Sequence, residues 1–299
     1  MRQAPGTLRA TYDRDGHVVL PGVLDPDLLA AVRREATAIC RGDRGPVDGL
    51  VPAGPGEPDG AVLGRYLCIH FPHKLSALVR EVARLPALVG ALTTVVGPNV
   101  KMMQSMLFLK AAGQPGQAWH QDEAHIPTRD RSLAGVWIAL DDATVDNGCL
   151  WVLPGSHCAG VLYPVRRHED PRFDPTPEAY GFPHGEDEAR PVEVPAGCAV
   201  VFHGYLLHRS LPNVTRTGMR RALVTHYMSA ESPLPWMPPA PGETMATVDH
   251  RDVLLVAGRD PYAARGTTDV MRPRLRAYAR LTEAERERGA VPGPAPPTR

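Results

Sequence analysis

A chain of 299 residues, 43% of them apolar, is long enough to bury one sizeable core, and β-barrels with helical additions often reach this length as a single unit. Its 33 basic and 33 acidic residues cancel, which excludes a broad electrostatic field for nucleic acid or an acidic membrane surface. The five cysteines form no CxxC pair, no apolar run is long enough to span a bilayer, and Arg2, Arg9 and Arg14 interrupt any secretory leader, so a reduced, soluble, cytoplasmic protein is expected.

Residues 25–40 carry apolar positions at helical spacing behind Asp25, a capping residue, and Pro26, suited to the first helical position; a helix is predicted there. Residues 42–60 are rich in Gly, Pro and Asp without periodicity and read as a surface loop. Residues 75–96 return to a helical stripe that Pro86 should break in two. Short apolar or alternating runs follow at 100–109, 134–140, 150–153, 192–194, 199–202 and 222–228, separated by Gly, Pro and Asn, the pattern of a sandwich or barrel. Asn147-Gly148 is a hairpin-type turn signal. Residues 163–190 are polar and dotted with proline and read as a long insertion of the kind that covers a substrate. The chain becomes proline-rich after Pro233. One domain is expected over 1–289, with a disordered tail at 290–299.

The chemistry centres on His120 and Asp122. Two residues apart on an extended strand, they present an imidazole nitrogen and a carboxylate oxygen to the same side. A second imidazole would complete a two-histidine, one-carboxylate triad, which leaves open positions on a non-haem Fe(II). His203, His208 and His226 all follow at suitable places, and Arg220 and Arg221 offer a guanidinium that stays charged when enclosed and can grip a carboxylate through two parallel bonds.

The order of motifs around these residues resembles the phytanoyl-CoA dioxygenase family of Fe(II)/2-oxoglutarate oxygenases. The likeness runs through residues 12–24, Trp119-His120-Gln121-Asp122-Glu123, the stretch from Asn147 to Pro154-Gly155-Ser156-His157, Pro195-Ala196-Gly197, and His208-Arg209-Ser210 with Arg220-Arg221-Ala222 behind it, covering roughly 10–230. The resemblance implies a double-stranded β-helix, a cupin-like jelly roll with an all-β core and flanking helices, the site lying inside its open end. It implies an opening strand and turn over 12–24. It implies Fe(II) held by His120, Asp122 and His208, with 2-oxoglutarate and O2 as co-substrates and Arg220 on the distal carboxylate, assisted by Ser210. Gln121, Gln104 and Trp137 are candidates to line the pocket, Arg65 and His125 to reach a substrate, and His157 to hold a turn. Oxidative decarboxylation to succinate would then drive oxidation of a C–H bond in a small molecule, by hydroxylation, cyclisation, desaturation or epoxidation. The carboxylate of Asp122 stands where related halogenases carry a small residue. No Lys/Arg cluster favours a CoA phosphate, and the Ala, Arg, Gly and Pro bias suggests bacterial specialised metabolism, such as antibiotic biosynthesis. A cupin-type enzyme or a jelly-roll metal-binding protein that uses no 2-oxoglutarate is the alternative. The partner expected is a small molecule, with neither nucleic acid nor membrane, on a monomer or homodimer.

Overall fold

The computed structural model describes residues 5–232, 253–267 and 271–277; the tail expected at 290–299 lies outside them. The chain opens with α1 (Pro5–Asp15), β1 (His17–Leu20), α2 (Pro26–Arg41), α3 (Asp59–Leu63), β2 (Tyr66–His70), α4 (Ala77–Val82) and α5 (Pro86–Val95). Then come β3 (Val100–Ala111), β4 (Gln117–His120), β5 (Ala134–Ala139), β6 (Leu150–Val152), β7 (Val165–Arg166), β8 (Glu178–Ala179) and β9 (Arg190–Val192). The chain continues through β10 (Ala199–His203), β11 (His208–Ser210), β12 (Met219–Ser229), β13 (Leu254–Ala257) and β14 (Arg274–Ala277).

Two antiparallel sheets make the jelly roll. The larger is ordered β1-β10-β5-β12-β3-β2-β14, with β13 also on β3, and the smaller β4-β11-β6-β9. Side chains alternate across each strand, so the large sheet serves two cores. Val136 and Ile138 of β5 and Leu223 of β12 pack with Val32, Ala36 and Ile39 of α2 and with the α4 and α5 faces. Trp137, Ala139, Ala222 and Val224 point the other way, onto Leu150, Val152 and Val192 beneath the smaller sheet. That is why β5 is buried along its whole length and reads as a continuous apolar run.

The helices form where their caps and stripes place them. Asp25 accepts the Leu28 N–H at 2.8 Å, and α2 starts at Pro26. Pro86 starts α5, because a proline there removes the N–H that would continue α4. Three expectations are corrected. Over 12–24 only His17–Leu20 is strand, because Tyr12 and Leu8, one turn apart, are both buried as the inner face of α1. Asn147-Gly148 closes no hairpin, since β5 and β6 lie in different sheets. The strand expected at 192–194 runs Arg190–Val192, and Val194 makes an isolated bridge to Ala143. β2 and β14 had no counterpart in the sequence reading. Among the described residues no helix is long and apolar enough to cross a membrane.

Candidate metal centre and its cavity

β4 and β11 are neighbours in the smaller sheet, and their register sets His120 opposite His208, ring centroids 4.0 Å apart. Each ring is held the same way: His120 Nδ1 lies 2.8 Å from the Ala118 carbonyl oxygen and His208 Nδ1 2.9 Å from that of Leu206. A ring nitrogen against a carbonyl carries the proton, which leaves each Nε2 with its lone pair free. Burial pushes the His120 imidazole down to about 3, with His208 adding to the effect, so the ring is neutral.

Asp122 does not share the strand with His120 as expected. β4 stops at His120, and Asp122 opens a 3-10 turn over Asp122–Ala124. Gln121 between them stays extended (φ −125°, ψ 127°), so alternation still brings Asp122 to the histidine side. Asp122 Oδ1 lies 3.8 Å from His120 Nε2 and 3.6 Å from His208 Nε2, and one donor atom from each of the three falls within 4.8 Å of the others. The other oxygen, Oδ2, is 2.9 Å from His226 Nε2. Burial alone would raise the Asp122 carboxyl, but His208, His226 and the His226 hydrogen bond outweigh it and hold it below the usual carboxylate range. Two imidazole nitrogens and one carboxylate oxygen fit a first-row divalent ion with open positions. His203 lies apart, its Nδ1 accepting the Tyr205 N–H at 3.0 Å, beside the ring of His157.

The trio faces a cavity of about 300 Å³ whose wall includes Gln104, Trp137, Ser210 and Arg220. Alternation along β12 turns Arg220 inward with Ala222 and Val224, and Arg221 outward, where Asp141 grips it at 2.7 and 2.8 Å. Arg220 is buried over the Trp137 ring, 5.5 Å from its centroid, and donates to the Gly148 carbonyl at 3.0 Å. Among the described residues no carboxylate pairs with Arg220, and its Nε has no partner. Burial brings its pKa down to about 10. The approach to Gly148 requires glycine: its φ is +82°, and a Cβ would meet the Leu211 carbonyl at 2.3 Å. Gly135 similarly makes room for the Phe202 ring, which stands 4.8 Å from that of His208.

The sequence reading missed Lys110, which pairs with Arg220 in the β3–β12 register. It is buried, and Nζ donates to Ser210 Oγ at 2.9 Å and to the Leu211 carbonyl at 2.6 Å. Burial, then Arg220, pushes its ammonium well down. A lysine directly behind the apolar run from Met106 to Leu109 was the available signal.

Two candidates lie elsewhere. Gln121 is not on the cavity wall: its amide donates to the Val161 and Tyr205 carbonyls at 2.9 and 2.8 Å and accepts the Tyr163 N–H at 2.8 Å, tying down the root of the insertion. Arg65 pairs with Glu57, away from the cavity. His125 does stand on the wall, exposed, its ring 6.5 Å from that of His120. His157 holds its turn to α1 through the Asp13 carbonyl at 3.1 Å. The insertion contributes Thr176 to the wall, and its Glu186 takes Arg209 at 2.6 and 2.8 Å and Trp119 Nε1 at 3.1 Å, the neighbours of His208 and His120.

A family model described as phytanoyl-CoA dioxygenase matches residues 12–222. Phytanoyl-CoA dioxygenase 1 of Oryza sativa subsp. japonica is 39% identical over 132 residues, 44% of this chain and 45% of that protein. The chain spans about half the length of the first curated relatives it matches. L-proline trans-4-hydroxylase of Streptomyces griseoviridis is 31% identical over 252 residues, 77% of this chain and 90% of that protein. Among solved structures, the epimerase SnoN in complex with Fe3+, alpha ketoglutarate and nogalamycin RO shares the fold, with a TM-score of 0.61 at 22% identity over 91% of this chain and 98% of that one.

Proposed function

The chain belongs to the phytanoyl-CoA dioxygenase family, and we propose that it is an Fe(II)- and 2-oxoglutarate-dependent oxygenase that oxidises a C–H bond of a small molecule. The observation that carries this reading is the pairing, on one cavity, of the His120, Asp122 and His208 donors with a buried arginine that has no carboxylate partner among the described residues. Iron, when bound, supplies the activation of O2, coupled to decarboxylation of 2-oxoglutarate. The protein's part is positional. Backbone carbonyls fix both imidazoles with Nε2 free, and His226 holds Asp122 Oδ2 so that Oδ1 is left for the metal. Arg220 takes the distal carboxylate of 2-oxoglutarate, with Ser210 beside it and Trp137 and Phe202 excluding water.

A cupin-type reading without 2-oxoglutarate leaves the buried charge of Arg220 without purpose. A substrate from specialised metabolism is supported by a relative named L-proline trans-4-hydroxylase, from a Streptomyces, and by a fold neighbour holding nogalamycin RO. The test is anaerobic titration of the Fe(II)-loaded protein with 2-oxoglutarate, followed by O2 and quantification of succinate. The reading predicts one equivalent bound and succinate above a metal-free blank. Failure to bind 2-oxoglutarate would refute it.

A further inference from the structure

The cavity wall carries four arginines, Arg209, Arg220, Arg274 and Arg276, and among the described residues a single carboxylate, Asp122. Two of the four are accounted for: Arg209 is neutralised by Glu186, and Arg220 lies beside the donor trio. The other two come from β14, beyond the stretch that matches the family model. Being two residues apart on one strand, Arg274 and Arg276 face the same side. β14 pairs with β2, Arg274 opposite His70 and Arg276 opposite Cys68, and β2 pairs with β3. Three strand spacings therefore separate β14 from β12, about 14 Å across the sheet, and the register carries Arg276 level with Ala222 and Arg274 level with Val224, further along from Arg220.

Their partners differ. Arg276 donates to Thr176 Oγ1 at 2.7 Å and lies 3.3 Å from the buried Asp174 carboxylate, both in the insertion. Among the described residues Arg274 has no carboxylate; its guanidinium stands over the Phe71 ring, 5.5 Å from the centroid. Phe71 is buried at φ 62°, ψ 38°, a left-handed conformation that costs a bulky residue energy and persists only where packing enforces it. It forms the floor under Arg274. Beside it His70 lies on the wall with its buried Nδ1 unpartnered.

From this geometry we infer that the prime substrate is a small carboxylic acid, its carboxylate seated on Arg274, with Arg276 and His70 at its side. The inference rests on the oxygenase reading of the same cavity and names the substrate class. With Arg276 matched by Asp174, Arg274 is the arginine of this pair without a carboxylate among the described residues, which suits a monoanionic carboxylate better than a phosphate dianion. A cavity of about 300 Å³ stands at the small end of ligand sites, as suits a compact acid beside the co-substrate.

The test uses calorimetry on the full-length protein loaded with Mn(II), with and without 2-oxoglutarate, in the absence of O2. The probes are benzoate and N-acetylproline, each against its uncharged primary amide, and inorganic phosphate. The acids should bind about tenfold or more tighter than the amides, as expected for a charge-assisted contact. Arg274→Gln should abolish that preference while leaving 2-oxoglutarate affinity unchanged; Arg274 is exposed, so the variant should fold. Equal binding of acid and amide, no binding of either acid, preference for phosphate, or a preference that survives in the Arg274→Gln/Arg276→Gln double variant would each overturn the inference. The 2-oxoglutarate titration is separate: its failure with the unmodified protein overturns the oxygenase reading, whereas success without acid preference overturns only the substrate class.

Discussion

Arg220→Gln should separate binding from stability, because the residue is badly placed for the fold alone. Its charge is buried, has no carboxylate partner among the described residues, and has its pKa lowered by burial to about 10, equivalent to about 3 kcal/mol against the charged form. Removing it relieves that cost and loses the bond to Gly148, about 1 kcal/mol, and the contact with the Trp137 ring, about 1 kcal/mol more. The apo protein should therefore melt at the same temperature as the wild type or higher. Binding should move the opposite way. Two charge-assisted bonds to the distal carboxylate are worth about 3 kcal/mol or more together, so 2-oxoglutarate affinity should fall about a hundredfold. Arg221→Gln should do the reverse, since it breaks the ion pair with Asp141, two-thirds or more buried on both sides, and faces away from the cavity. Thermal melts and calorimetric titration with 2-oxoglutarate on the Mn(II)-loaded variants read both quantities. An Arg220→Gln protein that binds 2-oxoglutarate within about threefold of wild type, or loss of binding in Arg221→Gln instead, would show that Arg220 does not take the distal carboxylate.

Replacing His120, Asp122 or His208 with Ala should abolish iron binding measured by metal analysis, with folding retained; full occupancy in His208→Ala would remove it from the ligand set. His226→Leu frees Asp122 Oδ2, and metal affinity should drop about 10- to 100-fold, read by competition with a chelator; unchanged affinity would show that His226 does not hold the carboxylate. Burial, then His157, brings His203 down to about 4 in the folded state, below its unfolded value, so the unfolded chain binds more protons in between. The corresponding stability is present at neutral pH and lost as pH falls towards about 4; denaturation curves of His203→Gln should show a shallower loss over that window, and an identical slope would exclude the residue. With Asp122 filling the position, turnover with 2-oxoglutarate, O2 and chloride should give succinate and no chlorinated product by mass spectrometry.

Much of this protein was legible from local chemistry. Asp25-Pro26 announced α2 and Pro86 split the next helix, because caps and prolines act on their own backbone. The apolar runs that became β3, β5, β10 and β12 were visible because their side chains must leave water. His120, Asp122 and His208 were readable as a set only through the order of motifs around them. Tertiary structure decided the rest. The choice between Arg220 and Arg221 depends on which face of β12 looks into the cavity, and that follows from β12 lying between β3 and β5. Gln121 sits between two residues of the donor set, yet alternation turns it onto the insertion. His226 reaches Asp122 across 104 residues, and Lys110 meets Ser210 across 100. Arg274 and Arg276, in a strand with no apolar run to announce it, reach the wall only because β14 pairs with β2. A sequence specifies what each residue can do and which way its immediate neighbours turn; which distant side chains share one cavity is set by strand pairing, whose hydrogen bonds are made by backbone groups that every residue carries.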